Sequence, residues 1–527
     1  MNVARLIRTR GPVSPGLFVL GSVVAVLVIL PIAITVLQAF QGGTSAIGDA
    51  FRASSTRTLL LNTVLVPLVA TPICGVIGVG GAWFVERTRL PGRRLWAVLL
   101  VAPLTVPLFV TSYAWATLGV SLQGFVGAAG IIAFSYYPIV FLLVAVALRG
   151  LDQALEDSAR SLGLNPRQIF FRVVLPQLRP ALLGGLLLVA LDALVEFDAF
   201  VALRFQTFSL DVYAQYRLGF STSGAAALSF FSIVLCVVVL LGEARLRGNA
   251  NYTRVSRGVR RAPVRYELGR WTLPVLAALA AVVAVAVGIP VAMLVRWFSE
   301  SSSTALSTAT TNLQFLWPAS RTSILLGLSA ALLALLMALP VSVLAVRHGG
   351  RVSRLIERST YLSFALPDLV GAVALSYAAV HYARFLYGSF ALIVFAEAVL
   401  FLPFAVVAMR ATLGQIEPAL EESARALGSG PLTTFRRVTM PLARPGVVAA
   451  IILVFAFSLG DLASAQVLLP LNLYTLGTEF QTNSGTVAFA SAAPFAAVLI
   501  VLAMAAAWVL MSSFGTVRAF APEDDRG

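Results

Sequence analysis

Twelve long runs of apolar residues divide this chain, and they constrain its fold more than any other feature of the sequence. A helix needs about 20 consecutive apolar residues to cross the hydrocarbon core of a bilayer. The composition agrees, because 59% of the 527 residues are hydrophobic, 12% are charged and the mean hydropathy is +0.91. We therefore predict an all-α membrane protein with about 12 transmembrane helices. The predicted spans are 17–39, 58–84, 95–119, 127–148, 181–203, 225–243, 272–296, 321–346, 360–382, 388–409, 446–468 and 491–512.

A polar segment occurs twice, which indicates that the chain is a tandem duplication. Residues 156–180 and 421–445 align without a gap, and 13 of the 25 positions are identical. The offset between the two copies is close to half of the chain length. Each half then holds six spans, so both halves enter the membrane in the same orientation and are related by a pseudo-two-fold axis along the membrane normal. The predicted domains are a first half over 1–245, a cytoplasmic Arg-rich linker over 246–271 and a second half over 272–527.

The distribution of positive charge predicts the topology. All 38 basic residues are arginine and the net charge is +15, a value that nucleic-acid-binding proteins also reach. With both termini in the cytoplasm, 31 of the 38 arginines lie on the cytoplasmic side, which is a strong positive-inside bias. This placement favours membrane lipid as the partner of the Arg-rich linker and argues against nucleic acid. Both copies of the repeated segment then face the cytoplasm.

Residues that the chain lacks exclude several classes of function. A Walker A loop places a lysine on the nucleotide phosphates, and this chain has no lysine, so it holds no standard P-loop ATPase. Cys74 and Cys236 both lie in apolar runs, which excludes a disulfide framework and a CxxC metal site. His348 and His381 have no partner at metal-ligand spacing, and the sequence contains neither an HExxH nor a GxSxG motif. These absences favour a transport role over an enzyme.

The first repeated segment predicts two short helices separated by a turn. Good helix formers fill 152–162, Gly163 then ends the helix, and Asn165-Pro166 is typical of a turn. A second, amphipathic helix follows before Pro176 marks the approach to the next span. The second copy repeats this scheme at the equivalent positions. Because polar segments between membrane spans are exposed, the duplication predicts two equivalent docking surfaces.

The two segments resemble the signature of the permease subunits of ATP-binding-cassette (ABC) importers. That signature reads E-A-A-x3-G-x9-I-x-L-P, and its spacing is intact in both copies. The departures are Asp157 in place of the first Glu in copy one, Ser in place of the first Ala in both copies, and Met440 in place of Leu in copy two. The signature and its adjoining turns comprise Asp157, Ser158, Ala159, Gly163, Pro166 and Pro176 in the first copy and Glu422, Ser423, Ala424, Gly428, Pro431 and Pro441 in the second.

The resemblance to this MetI-like, or type I, family implies a set of partners. In such permeases each repeated loop forms a coupling helix that sits in a groove of a separate cytoplasmic ATPase subunit. The resemblance therefore implies two ATPase subunits that bind ATP and Mg, no cofactor on this chain, and a substrate-binding protein outside the membrane. It also implies a multi-pass protein of the bacterial inner membrane, whose two halves rock between inward-facing and outward-facing states.

Four acidic residues lie within predicted spans five and eleven, where an ionisable group is costly and is a functional candidate. Glu196 recurs as Asp461 at the offset that relates the two copies, and Asp192 and Asp198 flank Glu196. Carboxylate oxygens suit a hard cation, so these residues are candidates for the substrate path. The alternative is structural: each carboxylate caps a broken helix or pairs with an arginine such as Arg204. The sequence leaves both interpretations open.

The surroundings of these carboxylates, VEFDAF and LGDLASA, resemble those of ferric-iron permeases. Fe³⁺ is therefore the expected substrate, and thiamine or a polyamine carried by the same architecture is the alternative. A secondary transporter coupled to an ion through the carboxylates is the candidate from another class. Asp368 and Glu397 rank lower because neither has an acidic counterpart in the other half. Phenolic oxygens or interfacial anchors are expected at Tyr113, Tyr136 and Tyr137.

Overall fold

The computed structural model describes an all-α protein over ten stretches of the chain. These are 15–41, 54–119, 122–151, 153–218, 222–247, 265–299, 306–348, 350–414, 416–486 and 488–513. Within these stretches the backbone forms helices and turns, and the only strand-like contact is an isolated bridge between Thr88 and Tyr266. The ends of the chain, to which the topology prediction refers, and residues 248–264 of the predicted linker lie outside the described residues.

The helices follow one another in the same general order in both sequence halves. The first half contains α1 (Pro15–Gln41), α2 (Ser54–Arg87), α3 (Arg93–Val101), α4 (Leu108–Ala116), α5 (Phe125–Gly150), α6 (Gln153–Ser161), α7 (Pro166–Ile169), α8 (Leu175–Val195), α9 (Asp198–Ala202), α10 (Phe208–Leu218) and α11 (Thr222–Arg247). The second half contains α12 (Thr272–Val283), α13 (Ile289–Ser299), α14 (Leu306–Val343), α15 (Arg351–Thr360), α16 (Asp368–Tyr382), α17 (Phe390–Leu400), α18 (Leu402–Leu413), α19 (Pro418–Ala426), α20 (Pro431–Thr434), α21 (Met440–Leu442), α22 (Arg444–Gly460), α23 (Ala463–Leu468), α24 (Leu476–Gly485) and α25 (Phe489–Ser513).

Each of the twelve predicted spans has a counterpart, but five of them are not single straight helices. Seven helical segments in the described residues are long and apolar enough to cross a membrane by themselves. The other five candidates are pairs of helices bent by 87°, 60°, 103°, 52° and 71° at short breaks. They correspond to predicted spans three, five, nine, ten and eleven, so the described residues contain twelve candidate spans when each bent pair counts as one. Broken helices at membrane depth occur where the backbone is buried in protein or lines a cavity.

The breaks in spans three and nine have the same local cause. Val106 and Leu366 both have extended backbones, with φ and ψ of −100° and 116° in one and −105° and 116° in the other. Each is followed by a proline, Pro107 or Pro367, which directly precedes the next helix. The proline ring disfavours the helical region for the residue before it. The sequence therefore specifies these two bends locally.

The described helices pack as two compact units that do not coincide with the two sequence halves. One unit contains α1, the junction of α10 with α11, and α14 to α25, whereas the other contains α2 to α9, α12, α13 and most of α10 and α11. Within the first of these units α1 packs against α14, α15 and α16. Within the second, α12 contacts α3, and α13 contacts α4. The first span of each half thus packs in the unit that is built mainly by the other half. The predicted domain boundaries at 245 and 272 describe the duplication of the sequence, and they stay a prediction.

Glycine residues allow the helices next to the first repeated segment to approach closely. A Cβ atom on Gly78 of α2 would lie 2.7 Å from the Cβ of Val140 and 2.9 Å from the backbone nitrogen of Phe141, both in α5. A Cβ on Gly185 of α8 would lie 3.2 Å from the Cα of Val140. In lipid, close backbone contact between small residues is a main source of helix association. The helices α2, α5 and α8 therefore form a tight seam, and α5 and α8 flank the first repeated segment in sequence.

Candidate functional site

Both repeated segments begin with a helix that a left-handed glycine terminates. Gly163 follows α6 with a φ of 80°, and Gly428 follows α19 with a φ of 86°. In the first segment the Leu164 amide donates to the Ala159 carbonyl at 3.1 Å, and the Gly163 amide donates to the Arg160 carbonyl at 2.9 Å. The same two bonds recur at the equivalent positions of the second segment, at the same lengths. This pattern is a Schellman cap, so the predicted role of both glycines as helix ends is confirmed.

The second helix of each segment is extended by a π-helical turn before the chain bends into the next span, by 60° in the first copy and by 71° in the second. In the first segment α7 runs through a π-helical turn at Phe170–Val174 into α8, and in the second α20 runs through Phe435–Thr439 into α21. The two π-helical turns occupy equivalent positions of the two copies. Asn165 starts α7 with a reciprocal cap, because its Oδ1 accepts from the Gln168 amide at 2.9 Å and its own amide donates to Gln168 Oε1 at 3.0 Å.

Most residues of the predicted docking surfaces face outward. Leu162 and Leu427, which occupy equivalent positions of the two copies, are 80% and 88% exposed. Docking of another molecule at these two positions stays a prediction. Ala159 is buried, Ala424 and Pro176 are half-buried, and Pro166 opens α7. The exposed members of the predicted set are Asp157, Ser158, Gly163, Glu422, Ser423, Gly428, Pro431 and Pro441.

One residue of the first repeated segment points inward and forms a buried ion pair. Glu156 of α6 lies 2.8 Å from the Nη2 atom of Arg87, the last residue of α2, and the two side chains are 2% and 1% exposed. The same Nη2 donates to the Leu148 carbonyl of α5 at 3.2 Å. Burying two charges is costly, and it is tolerated where they pair closely and gain further hydrogen bonds. The pair therefore fixes α6 to the ends of two membrane-spanning helices.

The second repeated segment has a similar ion pair. Glu421, the counterpart of Glu156, accepts hydrogen bonds from Arg347 at 2.9 and 3.2 Å, and from the Thr439 hydroxyl at 3.0 Å. Arg347 also donates to the Ile416 carbonyl at 3.2 Å. These side chains are more exposed than the first pair, at 15% for the arginine and 11% for the glutamate.

The sequence did not predict that Glu156 and Glu421 form ion pairs. The identity of Glu156 and Glu421 between the two copies was the available signal, but the arginine partners lie far upstream, before the preceding spans of each half. No local pattern links an arginine at such a distance to a glutamate. The pairing depends on how α2 and α14 meet the repeated segments in the folded protein.

The first group of candidate carboxylates lies where α8 ends. Glu196 follows the last residue of α8, and its Oε1 accepts a hydrogen bond from the Ala199 amide of α9 at 2.9 Å. The Tyr136 hydroxyl of α5 donates to the Oε2 of Glu196 at 3.2 Å. Asp192 lies one turn earlier in α8 and also interacts with Tyr136. Asp198 is the first residue of α9.

The second group of carboxylates has the same local geometry. Asp461 follows α22, and its Oδ1 accepts a hydrogen bond from the Ser464 amide of α23 at 3.0 Å. Ser464 is the counterpart of Ala199 in the second half, so the same cap occurs in both halves. Glu397 of α17 is fully buried, accepts a hydrogen bond from the Ser458 hydroxyl and lies within electrostatic range of Asp461. The structure thus brings Glu397, which the sequence ranked lower, into the neighbourhood of Asp461.

Glu196 and Asp461 thus make the hydrogen bonds that the helix-capping alternative predicts, while contact of the four carboxylates with substrate stays a prediction. Glu196 and Asp461 each satisfy a backbone amide at the start of a short helix. Arg204, the other structural partner considered, is an exposed turn residue with a φ of 52°. Among the described residues no group of three or more His, Cys, Asp or Glu side chains has the geometry of a metal site.

Comparison with known proteins decides the family. The chain matches the family described as binding-protein-dependent transport system inner membrane component over residues 75–247 and again over 323–517. The chain belongs to this family. The two matches confirm a protein built from two tandem permease halves, and they favour transport by an ABC permease over the ion-coupled secondary transporter considered above.

Several permeases are similar to this chain over different lengths. It is 33% identical over 473 residues to the Fe(3+)-transport system permease protein FbpB 2 of Haemophilus influenzae, covering 89% of this chain and 93% of that protein. It is 23% identical to the putative ferric transport system permease protein FbpB 1 of the same organism, covering 77% and 71%. The sulfate transport system permease protein CysT of Salmonella typhimurium is 29% identical over 41% of this chain and 85% of its own length. The likeness to FbpB 2 thus extends over both permease halves.

Proposed function

We propose that this chain is the permease subunit of a binding-protein-dependent ABC importer of ferric iron. The observation that carries the proposal is the 33% identity to FbpB 2, which extends over 93% of that protein. The acidic groups at the ends of α8 and α22 support it, because Fe³⁺ is a hard cation that prefers oxygen ligands. Sulfate is less compatible with them, since an anion is repelled by carboxylates.

The proposed complex contains two cytoplasmic ATPase subunits and a substrate-binding protein outside the membrane. Both termini and both repeated segments lie in the cytoplasm in this proposal, as the arginine distribution favours. ATP and Mg bind to the ATPase subunits, and the permease supplies the path. The exposed faces of α6 and α19, with Leu162 and Leu427, contact the two ATPase subunits.

The buried ion pairs give the proposed coupling a mechanical basis. A docking helix transmits movement only if it is held firmly to the membrane helices that must move. Glu156 links α6 to Arg87 at the end of α2, and Glu421 links α19 to Arg347 in the π-helical turn that follows α14, Leu344–His348. Closure of the ATPase subunits would therefore move α2 and α14 together with the docking helices.

The proposed role of the carboxylates is compatible with their role as caps. Each cap uses one carboxylate oxygen, and the second oxygen of Glu196 accepts from the Tyr136 hydroxyl. In this proposal the negative charge of each carboxylate attracts a passing cation. Glu196 and Asp461 lie at helix breaks, where irregular backbone at membrane depth often lines a substrate cavity. We therefore propose that each half contributes one carboxylate to the path of Fe³⁺.

Uptake of radiolabelled ferric iron tests the proposal. Membrane vesicles contain this chain with its co-expressed ATPase, and iron is presented on its binding protein. The informative variant is Glu196→Gln with Asp461→Asn, because the amide oxygens keep both caps while the charges are removed. We expect this variant to lose iron uptake while ATPase binding stays intact.

Two results would contradict parts of the proposal. Undiminished uptake in the amide variant would leave the two residues with a capping role only. The second result is that the unmodified complex imports no iron while its ATPase responds to a binding protein loaded with thiamine or a polyamine. That result would change the proposed substrate but not the assignment as a permease.

A further inference from the structure

The end of the linker between the two halves is folded against the first repeated segment. Tyr266 pairs with the chain just after α2, since its amide donates to the Arg87 carbonyl at 2.8 Å and its carbonyl accepts from the Arg89 amide at 3.0 Å. Glu267 adds an ion pair with Arg89 at 2.7 Å, but both side chains are largely exposed, so that pair contributes little. The backbone of Tyr266 is thus fixed beside the arginine that holds Glu156.

The side chain of Tyr266 contacts the first repeated segment directly. Its hydroxyl accepts a hydrogen bond from Nη2 of Arg160 in α6 at 2.9 Å, and the guanidinium carbon of Arg160 lies 5.5 Å from the ring centre. The hydrogen bond raises the pKa of Arg160 above its usual range. Trp83 of α2 also contacts Tyr266: the two rings stack with centres 5.9 Å apart, and the Trp83 ring meets Phe170 edge-on at 4.7 Å. Both helices of the segment are therefore connected to Tyr266, one directly and one through Trp83.

The sequence provides no similar arrangement for the second repeated segment. Trp83 lies four positions before Arg87, and the residue four positions before Arg347 is Val343. Arg425, the counterpart of Arg160, is exposed. The two repeated segments are similar in fold but differ in what holds them.

We infer that Tyr266 is a positioning residue for the first docking helix, and that the linker is a working part of the coupling apparatus. This inference rests on the proposed docking of α6 and α19 to ATPase subunits. Tyr266 contacts Arg160 directly and contacts Phe170 through Trp83. These contacts keep α6 in its orientation when force is applied from the cytoplasmic side. In the part of the chain that the structure describes, the second docking helix is held through Glu421 by Arg347 and Thr439. The two docking sites are therefore functionally unequal, although the motif is the same.

Photo-cross-linking from the two exposed leucines tests this inference. The full complex is prepared with Cys74→Ala and Cys236→Ala, and a benzophenone maleimide is attached at either Leu162→Cys or Leu427→Cys. Cross-linking to the co-expressed ATPase is measured with and without Tyr266→Ala. We expect the yield from position 162 to fall about fivefold, which is the size of effect that a lost hydrogen bond and cation–π contact produce. The yield from position 427 should stay unchanged.

A conservative variant separates positioning from simple loss of structure. Tyr266→Phe keeps the stack on Trp83 but loses the bond to Arg160, so its yield at position 162 should lie between those of the parent and Tyr266→Ala. The amount of iron imported per ATP hydrolysed should follow the same order. Equal loss at positions 162 and 427, or no loss at 162, would overturn the inference. Absence of cross-links from both positions in the parent would instead refute docking itself.

Discussion

Replacement of Glu156 by glutamine should weaken the attachment of the first docking helix without changing its shape. In the native pair the charged atoms are 2.8 Å apart and both side chains are almost fully buried. Glu156→Gln leaves the Arg87 guanidinium buried without its counter-ion. Removal of one partner of a buried ion pair costs about 3–5 kcal/mol, and glutamine still offers an acceptor, so we take the lower value. A cost of about 3 kcal/mol corresponds to a change on the order of 100-fold in a local opening equilibrium.

Amide hydrogen exchange of the purified complex measures this opening. Protection of α6 should fall on the order of 100-fold in Glu156→Gln, while amides in the interior of α5 serve as an internal reference. Glu421→Gln is the matched comparison: its pair is more exposed and Thr439 still offers its hydroxyl, so protection of α19 should fall less. Coupled uptake should decrease in the same order as protection.

A double variant tests whether the unpaired buried charge causes the loss of α6 protection. Arg87→Met with Glu156→Met removes both charges and fills similar volume, and such replacements of buried ion pairs are often neutral in stability. We expect α6 protection in the double variant to lie near the native value. The reasoning is refuted if Glu156→Gln leaves α6 protection unchanged, or if the double variant loses as much as the single one.

Three further predictions concern the caps and the helix seam. The double variant Gly163→Val/Gly428→Val should insert into the membrane normally, but ATP hydrolysis should be uncoupled from uptake. Valine at positive φ costs about 1–2 kcal/mol at each site, and normal coupling would contradict this prediction. Asp461→Ala should lower the unfolding free energy by about 1 kcal/mol and Asp461→Asn by much less, as measured by thermal unfolding in detergent, because only alanine removes the cap; equal losses would argue against it. Gly78→Leu should prevent assembly, judged by gel filtration, whereas Gly80→Leu should not, because a Cβ on Gly80 meets nothing within 4 Å; similar behaviour of both variants would refute the close seam.

The repeated segments were predictable because their structure is local. Glycine at a helix end and the Asn165-Pro166 turn act within a few residues, and Gly163 and Gly428 have the conformations that the sequence required. The bends at Pro107 and Pro367 were equally local and could have been read from the sequence. The breaks at Glu196 and Asp461 were harder, since the acidic residues favoured a cap and a substrate contact equally and the surrounding sequence is apolar.

The sequence by itself determined the helices, the number of spans, the duplication and the helix caps, because each follows from composition or from residues close together in the chain. Only the tertiary structure decided that Glu156 pairs with Arg87, that Tyr266 sits on Arg160, and that α1 packs with the helices of the second half. These contacts join residues far apart in sequence. The helices are nearly uniformly apolar, so their hydrophobic pattern does not specify which helices pack together. In lipid, close packing and a few polar contacts determine the neighbours of each helix.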